Sequence, residues 1–551
     1  MSNAAILLHP DGYDTTGPRL LGRHAAGESF LRGFLRHADV TRFDLWNTTA
    51  APIPQLEALI QRIQPPPWPV NWIGPTDRKS LSEAGVLHLA GPELAPQAWS
   101  RRPYGASAYS LCGLTHTISS MRAMEMISNF AIAPVEAHDA LICTSAAVRD
   151  SVEVLLEGAH DYLASEYGGP RKRALPQRVT IPLGVNVDDF QTSLDHRRAW
   201  RERLNIPADA VVALYVGRFA ARDKMNPALM AQALELAARQ TGQTLYWVNS
   251  GWTEAQEDAE RFHADTRQLC PSVEYRHLDG RAPDTRFSIW SVADFFISFS
   301  DNIQETFGLT PVEAMAAGLP CVVTDWDGYR DTVRHGEDGF RVPTVSSSPG
   351  NGVDLAYWQS QSWMSYVDYV GAAGQATAID FAEAARAISI LVQNAEFRRK
   401  LGRQAQARAR EVFDWAAVIP QYQALWAELN ARRHAAGAAA PEPNNPFRPD
   451  PFKLFAAYPT RRLGKAWRVE VNRTLLWADV ELRLTLPLTA YSAFHRPTLD
   501  EVRQLVTWLS ERPSASVAEI VALFPRRRQG PVERGLLWIA RYGVVSLHPP
   551  D

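Results

Sequence analysis

The residues of this chain best placed to do chemistry lie in 298–343, where Glu305 and Glu313 bracket the run TFGLTPV. The apolar run DFFISF (294–299) reads as a buried strand and DNIQETFGL as a polar loop. Thr310-Pro311-Val312-Glu313 then carries two helix-start signals, Thr at the N-cap with Glu at the third helical position, and Pro at the first. Gly318 and Pro320 stop that helix after about two turns. A helix starting there turns unpaired amides and a positive dipole end toward an anion such as phosphate. Carboxylates on either side suit sugar or ribose hydroxyls, because each accepts charge-assisted hydrogen bonds. Taken alone, Glu313 need be no more than half of a capping box worth about 1 kcal/mol. Upstream, Gly217-Arg218 end the run VVALYVG (211–217), and Lys224 follows six residues later. Two such cations neutralise a diphosphate without a metal.

Positioning these groups takes a parallel sheet. Short apolar runs alternate with helical patterns: AAILL (4–8), VNWIG (70–74), VLHLA (86–90), ALICT (140–144) and VTIP (179–182) form one series, with helical stretches at 27–37 and 146–165 among them. VVALYVG, LYWVNS (245–250), VEYRH (273–277), DFFISF and PCVVT (320–324) form a second. Strands alternating with helices imply βαβ units. Residues 378–433 read as helices closing the second series, and HAAGAAAPEPNNPFRPDP (434–451) as an unpatterned linker. After it, 469–486 reads as strand-like, three helices follow from Thr498 to Tyr542, and Arg526-Arg527-Arg528 falls in the loop before the third.

Composition narrows the classes. The 551 residues hold 57 Lys or Arg against 60 Asp or Glu, a net −3, so no global charge drives the chain to nucleic acid or anionic membrane. Four scattered cysteines, without C-x-x-C or metal-spaced histidines, argue against a disulfide framework and a structural zinc. The start lacks a basic n-region, and no run is long enough to span a bilayer. A cytoplasmic protein is expected, with peripheral association at the inner membrane face as a variant. No Walker A, G-x-S-x-G or H-E-x-x-H pattern occurs.

Over about residues 1–433 the chain resembles the retaining glycosyltransferases of family 4. The resemblance rests on E-x7-E at Glu305 and Glu313 with the following EAMAAGLPCVVTDWDG, on IPLGVNVDDF (181–190), and on GRFAARDK (217–224). It implies an α/β GT-B fold, two Rossmann-like doubly wound domains facing a cleft; outside the resemblance, the pattern after residue 447 reads as a small C-terminal α+β module reminiscent of a winged helix. The implied layout is 1–190 (acceptor side) and 191–433 (nucleotide-sugar side), and the sequence pattern adds linker 434–451 and accessory module 452–551. The implied activity is transfer of a sugar from a nucleoside diphosphate sugar to a hydroxyl acceptor (a glycan, lipid-linked glycan or small molecule), with retention and without metal, in cell-surface glycan synthesis. Glu305 would contact the donor sugar near its anomeric carbon. The amides of Phe307, Gly308 and Leu309 would hold its hydroxyls, and that of Thr310 the phosphate. Glu313 would accept the ribose hydroxyls, and Gly217, Arg218 and Lys224 would bind the diphosphate. His116, just after a strand in SLCGLTHTISS (110–120), would reach the donor sugar, and Gly22 and Arg23 would lie in a glycine-containing loop near it. Asp325-Trp326-Asp327 is read as a structural loop rather than a metal-binding D-x-D.

Two other classes fit parts of the pattern: a nucleotide-sugar epimerase or phosphorylase on the same fold, and a catalytically weak sugar-nucleotide-binding or scaffolding protein acting through its C-terminal module. For 452–551 a protein or membrane-surface contact is expected and nucleic acid is not.

Overall fold

The computed structural model describes residues 3–15, 22–49, 51–169, 174–253, 256–442, 445–492 and 495–550. The chain divides into two compact units, Met1–Asn445 and Pro446–Asp551.

Among its described residues the first unit holds two large parallel sheets and a small antiparallel pair of strands. Strands β1 (Ala5–Leu8), β2 (Phe43–Asn47), β3 (Val70–Ile73), β4 (Val86–His88), β5 (Ser110–Leu114), β6 (Ala140–Cys143) and β7 (Gln177–Thr180) lie in the order β3-β2-β1-β4-β5-β6-β7. Strands β8 (Val211–Arg218), β9 (Leu245–Trp252), β10 (Val273–Asp279), β11 (Phe295–Ser298), β12 (Cys321–Thr324) and β13 (Gly339–Val342) lie in the order β10-β9-β8-β11-β12-β13. All pairings in both are parallel. These are the two Rossmann-like domains expected from the alternation. Central strands covered on both faces read as unbroken apolar runs, as β11 (FFIS, buried throughout) does. In each sheet the order reverses once, between β1 and β4 and between β8 and β11. Such a reversal opens a crevice at the carboxyl ends of the strands, where ligands of this class of sheet bind.

Two strands had no sequence signal, β2 and β13. In β2 the apolar run is broken by Asp44, a buried carboxylate that accepts from Asn71 Nδ2 at 2.8 Å and Arg42 Nε at 3.0 Å. The expected strand VTIP (179–182) sits two residues earlier, at Gln177–Thr180, because Pro182 has no N–H for the ladder. Behind β5 and β6, Arg101 and Asp139 form a fully buried pair at 2.6 Å, and Asp139 also accepts the Leu111 and Glu136 amides at 2.8 Å. The buried carboxylate thus has its partners and fixes where β5 starts.

The chain crosses between the domains twice, and the crossings touch. Val185 N–H donates to Phe413 O at 2.8 Å and Trp415 N–H to Val185 O at 3.2 Å. The helix Trp415–Ala435 then returns to the first domain, where Trp415 Nε1 donates to Ser29 Oγ at 2.7 Å. A Cβ on Gly33 or Gly184 would stand 2.3–2.4 Å from the Trp415 side chain, so only glycine permits this approach. Phe30, Tyr422 and Trp426 surround His88, and burial pushes its imidazole down to about 3, leaving it neutral. Beyond this helix, Ala439 N–H donates to Ser107 Oγ at 2.9 Å and Glu442 N–H to Arg102 O at 3.0 Å, holding that part of 434–451 on the first domain.

The second unit is α+β. Strand Arg468–Val471 pairs antiparallel with Ala515–Ser516 on one side and Val545–His548 on the other. Helices Trp477–Thr485, Leu499–Ser510, Val517–Ala522 and Arg526–Arg541 pack on it. Two expectations are corrected here. The stretch 469–486 is a strand only to Val471; its second half is helical, with Val480 and Leu484 buried four residues apart on one face. Arg526–Arg528 are not a loop but the first turn of the helix Arg526–Arg541, and Arg528 is bound by Glu501 at 2.7 Å. Among the described residues no helix is long and apolar enough to cross a membrane.

Candidate functional site

The loops at the β8/β11 reversal carry the candidate residues. Gly217 and Arg218 end β8, and the following loop brings Lys224 Nζ to 2.6 Å from Glu305 Oε2. Arg218 donates to Asp223 of the same loop at 3.2 Å. Burial pushes the Glu305 pKa up, but the Lys224 charge and hydrogen bond and the Thr306 and Phe307 amides outweigh it. The net result lies below the ordinary carboxylate range, so Glu305 is ionised at neutral pH.

The next helix starts earlier than the Thr-Pro-x-Glu pattern suggests. It runs Leu309–Ala316 with Gly308 at the N-cap, at φ 88°. Thr310, Pro311 and Glu313 are therefore its second, third and fifth residues, and the expected capping box does not form. A glycine in the left-handed region lets the chain turn into the helix two residues sooner, and Pro311 falls where the helix needs no N–H. No side chain caps the first turn, which keeps its amides open to an anion. The Phe307 side chain is core, meeting Phe413 at 6.0 Å between centroids. Glu313, freed from capping, is half-buried. Burial raises its pKa above the ordinary value, with the charges of Arg286 and Lys224 pulling it back. A Gly308→Ala change should lower stability by about 1–2 kcal/mol from the left-handed backbone alone. Its Cβ would also stand 2.3 Å from the Tyr329 ring. Thermal melting with and without nucleotide checks this, with both Tm and the ligand shift expected to fall.

The first domain meets these loops with the start of its long helix Ala146–Tyr167. Thr144 Oγ1 donates to Thr306 O at 3.4 Å, Ser145 Oγ to Asp327 Oδ1 at 3.4 Å, and Ala146 N–H to Asp331 Oδ2 at 2.6 Å. Asp325 faces elsewhere, toward Arg341 at 3.3 Å. Asp327 has φ 43°, and burial followed by the charge of Glu305 pushes its pKa up to about 8. An acid whose folded pKa exceeds its unfolded value keeps a proton that the unfolded chain has lost. It therefore weakens the fold increasingly as pH rises from 3.8 toward about 8. Asp327→Asn, also better suited to positive φ, should raise Tm by about 2–4 °C at pH 8 and by less at pH 5. Paired melts at the two pH values test it; an equal or larger gain at pH 5 would contradict it.

Of the remaining candidates, His116 follows β5 and places Nε2 at 2.9 Å from Ala90 O of its own domain. Gly22 and Arg23 open the helix Gly22–His37 rather than a loop, and their side chains lie outside the described residues. No motif points to Tyr366. Its hydroxyl stands 2.9 Å from Ser119 Oγ and donates to Gln304 Oε1 at 3.1 Å, joining the segment after His116 to the residue before Glu305. The only available signal was an aromatic cluster, Tyr357, Trp358, Trp363, Tyr366 and Tyr369, in a stretch without strand pattern.

The chain has two Rossmann-like domains with all-parallel sheets, and the second of them carries a segment similar to glycosyltransferase sequences. Residues 196–348, which hold β8–β13, match the family model described as "Glycosyl transferases group 1". A D-inositol 3-phosphate glycosyltransferase of Thermobispora bispora is 32% identical over 173 residues, 31% of this chain and 40% of that one. The enzyme of the same name from Corynebacterium efficiens is 26% identical over 258 residues, 46% of this chain and 51% of that one. The chain thus spans about half or less of these relatives' lengths. Among solved structures, Anabaena HepE in complex with UDP is similar at 16% identity and TM-score 0.49, covering 78% of this chain and 100% of that one.

Proposed function

We propose that the protein is a retaining, metal-independent glycosyltransferase moving a sugar from a nucleoside diphosphate sugar to a hydroxyl acceptor, in cell-surface glycan assembly. The observation that carries the reading is the Lys224–Glu305 pair at the β8/β11 reversal, in front of a helix whose first turn no side chain caps. The match of 196–348 to a glycosyltransferase family and the glycosyltransferase names of the relatives support it.

In this reading the bond from the anomeric carbon to the diphosphate breaks, and the acceptor oxygen bonds to the same face. The acceptor proton passes to the leaving phosphate. Negative charge grows on that phosphate, where Arg218, Lys224 and the amides around Thr310 stabilise it. Positive charge grows on the sugar ring, and ionised Glu305 faces it. Glu313 takes the ribose hydroxyls. Ties such as Ser145–Asp327 hold the domains together over the donor and keep water out.

Thermal melts of the full chain with UDP, GDP, ADP, dTDP and CMP test the reading. A nucleotide at about 100 times its Kd adds about 2.7 kcal/mol, a shift of several degrees. One nucleoside diphosphate is expected to give it; none doing so would overturn the proposal and favour the scaffolding alternative.

A further inference from the structure

The match to the glycosyltransferase family ends at residue 348, and just beyond it the chain makes an excursion. Thr344–Ser346 and Thr377–Ile379 pair antiparallel at its base, and helices Val353–Ser360 and Tyr366–Gln375 form its body. Between 347 and 376 there is no Lys or Arg. Tyr357, Trp358 and Trp363 are 53%, 42% and 70% exposed. Their places are fixed: the Tyr357 and Trp363 rings meet edge-on with centroids 5.7 Å apart, and Trp363 N–H donates to Trp358 O at 3.0 Å. Aromatic rings clustered in water mark a surface with a partner.

Three features say what that partner is. Trp363 is three residues from Tyr366, so their Cα atoms lie at most about 11 Å apart and the aromatic cluster adjoins the segment that carries the Tyr366 hydroxyl. That hydroxyl sits with Ser119 and Gln304, a neutral hydrogen-bonding set beside Glu305. The excursion supplies no cation of its own, and the Arg222 that meets it is paired with Asp368, which argues against an anionic lipid surface or a nucleic acid, both of which are held by clusters of Lys and Arg. Of the two acids, Asp368 is engaged by Arg222 at 2.8 Å. A pyranose has apolar C–H faces and hydroxylated edges, the complement of exposed rings beside neutral donors and acceptors.

We propose that residues 344–379 form an acceptor platform for a neutral oligosaccharide. The rings of Tyr357, Trp358 and Trp363 pack on its C–H faces, and Tyr366, Ser119 and Gln304 take hydroxyls at the end entering the cleft. That the bound glycan is the acceptor rests on the glycosyltransferase reading; that a glycan binds does not.

The test uses the full chain on an immobilised panel of short oligosaccharides, neutral (glucose, galactose, mannose, N-acetylglucosamine) and uronic-acid-containing, with nucleotide melts in parallel. At least one neutral oligosaccharide should be retained, with affinity falling roughly tenfold or more in Trp363→Ala and in Tyr357→Ala. Both positions are exposed, so Tm and the nucleotide-induced shift should persist. The platform is overturned if the wild type retains no neutral oligosaccharide, if both variants retain it undiminished, or if Trp363→Ala instead abolishes sedimentation with phosphatidylglycerol vesicles. Glycan retention that depends on Trp363, in a protein that no nucleotide stabilises, would strike the glycosyltransferase reading and leave the platform standing.

Discussion

Glu305→Gln is expected to cut sugar transfer roughly 100- to 1,000-fold, the scale of losing one charge aimed at a transition state. Nucleotide affinity should hold or improve. The two effects part because Lys224 Nζ lies 2.6 Å from Glu305 Oε2 in the free protein. Glutamine keeps the shape and a hydrogen-bonding oxygen but removes the anion that competes with a diphosphate for Lys224. Lys224→Met should do the reverse, weakening nucleotide binding and leaving a buried carboxylate without its cation. Turnover numbers and nucleotide Kd values for both variants check the pair. Near-normal turnover in Glu305→Gln would remove that residue from the reaction.

The second large effect is expected at Glu313. Glu313→Gln should weaken nucleotide binding about 10- to 100-fold, the range of one or two hydrogen bonds to a charged acceptor. Stability should stay level or rise. With burial pushing its pKa up, this carboxylate weakens the fold as pH rises through the interval between its unfolded and folded values, and an amide does not. Thr310→Ala is the control. Thr310 is the second residue of a helix capped by Gly308, so it caps nothing, and its loss should cost about 1 kcal/mol through the hydrogen bond it shares with the buried Tyr329 hydroxyl. Calorimetric titration with the stabilising nucleotide, together with melts, separates the outcomes. Equal losses of Tm in the two variants would restore a capping role for Glu313.

The paired Rossmann-like sheets were legible because buried parallel strands are short apolar runs separated by helix-length gaps, and eleven of the thirteen, the strand before His116 included, stand out. The exceptions follow physically: β2 needs a buried Asp44 satisfied by residues distant in sequence, and β13 carries Gly339 at φ 158° and the charged Arg341. At the site, residue types and spacing singled out Lys224 and Glu305, and the fold puts them in contact. The helix start was misplaced by two residues because Thr-Pro-x-Glu is a sound local signal, while the competing turn depends on Gly308 sitting against Tyr329. Tyr366 was invisible, since its partners Ser119 and Gln304 are 247 and 62 residues away. The helix at 477–485 was missed because WADVELRLT alternates well enough to pass for a strand, and only packing on the 468–471 strand decides it.

The two crossings between the domains, side by side at Val185 and Asp414, form one hinge line instead of two separated anchors. A body joined to another along one line swings like a door and does not slide. In the proposed reaction the ties at Ser145, Ala146 and Tyr366 would act as latches, whose release would set how long a product stays inside. If that reading holds, residence time and affinity would be altered separately, the former at the latches and the latter at Lys224 and Glu313.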